Sequence, residues 1–115
     1  MVRYIDFAVE GQEIRLLAAE ETSPAPRGDT REYLFARFCF AGAWINLEKT
    51  AIFTRAGMEP IKVVLNAEGV CPIPPELLVT REARYMLEIG VGLVGYGADG
   101  LRLPTGTASI HLRPS

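Results

Sequence analysis

Apolar residues recur at every second position through most of this chain, and that period constrains the fold more than any other feature. A period of two puts alternate side chains on opposite faces of an extended strand, whereas a helix needs spacings of three and four. Ile5, Phe7 and Val9 alternate with Tyr4, Asp6 and Ala8. After a turn at Glu10-Gly11-Gln12, Ile14, Leu16 and Ala18 alternate with Glu13, Arg15 and Leu17, which reads as a hairpin. Across 33–41, Ala36, Phe38 and Phe40 share one face while Phe35, Arg37 and Cys39 share the other. Aromatic side chains suit a pleated, half-buried surface, so this run is expected deep in the core. Shorter strands are expected over 50–55, 61–65 and 70–73. The longest alternating run, 84–91, reads as a central strand with Tyr85, Leu87, Ile89 and Val91 on one face. Ala108, Ile110 and Leu112 mark the last strand.

Turn residues punctuate these runs. The stretch 20–32 holds Ser23-Pro24-Ala25-Pro26 and Arg27-Gly28-Asp29, and two prolines with a glycine exclude a central strand, leaving a surface loop. Its Arg-Gly-Asp tripeptide matches the integrin-type adhesion sequence but reads as a solvated turn. Residues 43–49 suit one helical turn that folds Trp44 back onto the core. Asn66-Ala67-Glu68-Gly69 is a turn suited to positive φ, and Pro74-Pro75 ends pairing because proline has no N–H for a ladder. Glycines at 90, 92, 95, 97 and 100 read as a bulged strand that passes through a loose hairpin into Leu101-Arg102-Leu103. The sum is an all-β, immunoglobulin-like two-sheet sandwich of about eight or nine short antiparallel strands. A chain of 115 residues has room for one such core, so 1–115 is expected to be a single domain. The long connections 20–32 and 72–82 are expected to cross between the sheets as Greek-key connections do.

The residues that carry chemistry are sparse. Twelve basic and 14 acidic side chains are scattered without a run of like charge, which argues against a nucleic-acid partner, since that binding needs clustered Lys and Arg. No apolar run approaches the length of a membrane span, and the start lacks the layout of a secretion signal, so no membrane partner is expected and synthesis in a cytoplasm is. Cys39 and Cys71 read as small core residues, with one bridge between them as the alternative. His111, the single histidine, lies on the strand face opposite Ile110 and Leu112 and reads as exposed rather than as part of a nucleophilic triad. One His, two separated Cys and carboxylates without ligand spacing assemble no metal site, so no metal and no cofactor are expected. Glu20 with Glu21, or Glu76 with Glu82, read as solvated loop charges rather than a paired acid and base. The expectation is a protein that is not an enzyme.

From Phe38 onward the order of features resembles a β-sandwich module of bacteriophage and prophage tail proteins, found in baseplate upper proteins, fibre adaptors and related minor virion proteins. The residues that carry the resemblance are Phe38-x-Phe40, Trp44-x-x-Leu47-x-x-Thr50-Ala51-x-Phe53, Lys62-x-Val64-Leu65-Asn66, Cys71-x-Ile73-Pro74-x-Glu76-x-Leu78, Gly90-Val91-Gly92 and Leu103-Pro104-Thr105. The match spans about two thirds of the chain. It departs after Pro74, where many relatives have Trp and this chain has Pro75, and in the Pro-rich loop that precedes the match. The resemblance implies a virion structural protein that anchors or decorates the tail, baseplate or fibre apparatus, with head decoration as a close variant. It implies other virion proteins as partners and a homo-oligomer, dimer or trimer. It also implies that a chain of this length is a whole adaptor or decoration protein. The motif's core set is Phe38, Phe40, Trp44, Leu47, Ala51, Phe53, Cys71, Ile73 and Pro74. Candidate protein contacts are Tyr4, on an N-terminal strand with little charge to blunt its edge, and Leu93, Val94, Tyr96 and Leu101 near the glycine-rich hairpin. The alternative is a carbohydrate-binding or host-adhesion module, which needs an exposed aromatic platform from Trp44, Tyr4 or Tyr96; Trp44 is expected in the core.

Overall fold

A computed structural model describes residues 2–17, 23–24, 33–78 and 87–113. The strands are β1 (Val2–Glu10), β2 (Glu13–Leu16), β3 (Ser23–Pro24), β4 (Tyr33–Phe40), β5 (Glu48–Thr54), β6 (Ile61–Val64), β7 (Val70–Pro72), β8 (Leu87–Tyr96), β9 (Arg102–Pro104) and β10 (Ala108–Arg113). Two short 3-10 turns, Gly42–Trp44 and Pro75–Leu77, stand in two of the connections. One sheet has the order β2-β1-β4-β7; the second has β3-β10-β8-β5-β6, with β9 also pairing β8. The fold is therefore an all-β sandwich of two sheets.

Alternation in the sequence becomes two inner faces. Ile5, Phe7, Val9, Ile14, Leu34, Ala36, Phe38 and Cys71 point inward from the first sheet, and Ala51, Phe53, Leu87, Ile89, Val91, Leu93, Ile110 and Leu112 from the second. Phe7 and Phe38 stack with centroids 5.0 Å apart. Each large side chain buried here contributes about 1.5–3 kcal/mol relative to exposure, and the alternating residues left outside contribute little. Trp44 closes one end of the core: it is fully buried and its indole Nε1–H donates to the Gly11 carbonyl at 2.7 Å.

Several expectations are corrected. The β1–β4 pair at the centre of the first sheet is parallel, from Val2 beside Tyr33 to Val9 beside Phe40, so the strands are not all antiparallel. The chain enters the second sheet at β3 and returns to the first at β4, so β4 runs alongside β1 in the same direction. For the same reason the N-terminal strand is interior rather than an edge. Ten strands are present among the described residues, because the Ser23-Pro24 step of the expected loop pairs with the end of β10. β8 carries no bulge against β5; the register with β5 is unbroken from Glu48–Tyr96 to Thr54–Gly90. The extra residue sits across from it, where the β9 register (Pro104 beside Val94) gives way to that of β10 (Ala108 beside Val91) one residue out of step. Cys39 is exposed, since it shares the outer face with Arg37, while Cys71 is buried. The run's first residues, 84–86, and the Arg27-Gly28-Asp29 tripeptide lie outside the described residues.

Candidate functional site

Leu93 and Val94 are buried and leave the set of contact candidates. Leu93 falls on the inner face of β8. Val94 faces outward but is pinned between its register neighbours, Thr50 of β5 and Pro104 of β9. Tyr96 and Leu101 remain exposed, at 41% and 50%. They flank a tight hairpin in which the Gly97 N–H donates to the Leu101 carbonyl at 2.8 Å and the Leu101 N–H to Asp99 Oδ1 at 3.2 Å. Tyr96 stands in register with Glu48 on one side and Arg102 on the other.

Tyr4 is exposed on the outer face of the opposite sheet and belongs to a cluster built by the parallel β1–β4 rungs. Tyr4 lies beside Phe35, with ring centroids 5.9 Å apart, and Asp6 beside Arg37. The Arg37 guanidinium sits 4.5 Å over the Tyr4 ring and binds Asp6 through both ends, Nε to Oδ1 at 2.6 Å and Nη2 to Oδ2 at 3.2 Å. That pair raises the Arg37 pKa above its ordinary value, the hydrogen bond to Asp6 being the largest cause. Beside it runs a shallow groove of about 500 Å³ whose lining includes Asp6, Leu17, Arg37, Cys39 and Glu68. Alternation already put Phe35, Arg37 and Cys39 on one face. It held no sign that a parallel neighbour would set Asp6 and Tyr4 beside Arg37.

The motif residues are the core. Phe38, Trp44, Ala51, Phe53, Cys71, Ile73 and Pro74 are buried, and Phe40 and Leu47 pack half-buried against them. No family model matches the chain, and no curated protein matches it. Among solved structures the chain is similar to the N-terminal domain of phage TP901-1 ORF48, with a TM-score of 0.48 and 10% identity over 97% of this chain and 98% of that one.

His111 is half-buried on the outer face of the second sheet, its Nε2 3.8 Å from Glu88 Oε1. Glu76 is exposed in the second 3-10 turn; Glu20, Glu21 and Glu82 lie outside the described residues. Among the described residues no group of three or more His, Cys, Asp or Glu is placed to hold a metal ion, and no helix is long and apolar enough to cross a membrane. What the described surface offers is two outer sheet faces and the strand edges that border them.

Proposed function

We propose that this chain is a bacteriophage virion structural protein, a small non-catalytic module that anchors or decorates the tail, baseplate or fibre apparatus through protein–protein contacts. One observation carries the reading. Phe38, Phe40, Trp44, Leu47, Ala51, Phe53, Cys71, Ile73 and Pro74, from separate pieces of the motif series, converge on one shared core, so this part of the resemblance lies in residues that make the sandwich rigid, while Lys62, Val64 and Asn66 of the same series are exposed. A rigid block with exposed Tyr, Arg and Leu side chains on two faces is suited to holding neighbours in a particle. In this reading the protein resides in the virion, passes through the host cytoplasm during assembly, and has other virion proteins as partners. Head decoration is the close variant.

The glycan-binding alternative loses its platform. Trp44 is fully buried with its N–H committed to Gly11, and Tyr4 and Tyr96 occupy the outer faces of different sheets, so no two of the three line one site.

The test is to purify particles of the phage or prophage that encodes the chain through a density gradient, quantify the chain by mass spectrometry and locate it with a labelled antibody. Stoichiometric recovery with label on the tail or baseplate is expected, and label on the head selects the decoration variant. Recovery of the chain in the lysate but not in washed particles would sink the proposal.

A further inference from the structure

Side chains on one face of a sheet fall into rows, because residues in register on neighbouring strands point to the same side. The outer face of the second sheet holds three such rows toward the end that carries the 97–101 hairpin. The first is Glu48, Tyr96 and Arg102, on β5, β8 and β9. The second is Val64, Thr50, Val94 and Pro104, which crosses four strands without a charge. The third is Lys62, Ile52 and Gly92. Within this patch Tyr96 and Val64 are 41% and 61% exposed, and Pro104 is exposed as well.

Opposite charges thus flank an apolar centre, and neither is used within the chain. Among the described residues Glu48 and Arg102 have no ion-pair partner. Tyr96 stands between them, and the strands that carry them lie about 9.5 Å apart. On the first sheet the charges at the centre of the outer face, Asp6 and Arg37, already bind each other. The face of the second sheet therefore has an unmet charge on each side of Tyr96, and the two are of opposite sign.

We propose that this face packs on the same face of a second copy of the chain, about a two-fold axis that runs along β8. In a two-fold contact, a residue that meets a second residue of the other copy is met in the same way by its own counterpart. Rotation about β8 exchanges its flanks, so each Arg102 lies over Glu48 of the second copy and two ion pairs form together. The two Tyr96 rings meet near the axis, and each Pro104 lies over Thr50 of the second copy. A two-fold that runs across the strands through Val94 instead lays Glu48 over Ile52 and leaves both charges unpaired. Aligned sheets cross at about 30°, so Glu88, about 20 Å from Val94 along β8, stands roughly 10 Å to the side of its counterpart and does not oppose it. A foreign surface would need an acid and a base set at this spacing on either side of an apolar strip. A second copy carries them in the required places, and that complementarity selects it as the occupant.

Sedimentation equilibrium of the full chain tests the contact, with circular dichroism to verify the fold of each variant. The wild type is expected to be a concentration-dependent dimer. Arg102→Glu, at an exposed site, sets acid over Glu48 at both symmetric places, and Glu48→Arg, also at an exposed site, sets base over Arg102. Each alone is expected to weaken the dimer by roughly tenfold or more. Mixed in equal amounts, the two variants oppose acid to base at both places, and a heterodimer of near wild-type affinity is expected. A wild type that stays monomeric at high concentration, single variants that dimerise as well as the wild type, or a mixture that associates no better than either variant alone would each overturn the proposal. The contact stands apart from the virion reading: a particle protein that sediments as a monomer defeats the dimer alone, and a dimer missing from washed particles defeats the virion reading alone.

Discussion

Gly95 shows how tightly single side chains determine this core. A Cβ at that position would lie 2.7 Å from Leu47 Cδ1 and 2.9 Å from the Trp44 ring, and the indole cannot retreat because its N–H is held by Gly11. Gly95→Ala is expected to cost about 1–3 kcal/mol in urea denaturation, the usual range for overpacking. Gly106→Ala, where nothing lies within 4 Å of the added carbon, serves as the near-neutral comparison. The cysteines differ by parity in the same way. Cys39 is exposed, whereas burial pushes the Cys71 thiol up to about 12 from its ordinary value of 9.0. A thiol reagent at pH 8 should titrate Cys39 at once and Cys71 only on unfolding. Because the raised group is neutral in the folded state, its contribution is complete below pH 9 and is lost as pH rises toward 12, where only the unfolded thiol ionises. The stability advantage of the wild type over Cys71→Ala should therefore shrink across that window.

At the scale of elements, the 66–69 turn does two jobs. Asn66 Oδ1 accepts the N–H groups of Glu68 and Val70, at 3.0 and 2.9 Å, which holds the turn and caps the β7 edge. Gly69 then takes φ +76, and a Cβ there would lie 2.9 Å from the Phe38 carbonyl oxygen. Asn66→Ala removes two modest hydrogen bonds, so a loss of about 1–3 kcal/mol is expected in thermal or urea unfolding. An unchanged midpoint would show that water replaces the side chain. This turn was legible in the sequence, because Asn and Gly at these positions name the conformation they adopt. Strand positions and inner faces were legible for a similar reason: Phe7, Phe38, Phe53 and Ile89 each fall on the face that the alternation assigns. Pairing partners were not. A period of two states which side of a strand is buried and is silent about which strand lies alongside it, so the parallel β1–β4 pair, the interior place of β1 and the Tyr4-Arg37-Asp6 cluster had no sequence signal. Val94 misled for a related reason: its parity is outward, yet it is buried, with a strand in register on each side, at Thr50 and at Pro104.

For the molecule as a whole, pairing between distant segments governs how the sandwich forms. β1 pairs with β4 across 31 residues of chain, as in Val2 beside Tyr33, and β5 reaches β8 across 36 to 48, from Thr54 beside Gly90 to Glu48 beside Tyr96. Each of these ladders requires a long loop to close before any bond is made, and the connections 41–47 and 65–69 must carry the chain from one sheet to the other while the core is incomplete. Sheets that depend on such non-local pairing fold in about milliseconds to seconds, orders of magnitude slower than helical domains of similar size. Trp44 is well placed to report the event. It is the single tryptophan, and its burial needs the Gly11 hairpin of one sheet, Gly95 of the other and Phe40 at 5.4 Å to be assembled together. Stopped-flow refolding followed by its fluorescence should therefore show a main phase in that slow range, with far-ultraviolet dichroism recovering at the same rate because the strands and the core close together. Fluorescence that recovers in microseconds, or well before the dichroism, would mean that the Trp44 corner forms locally and that the distant ladders do not limit folding.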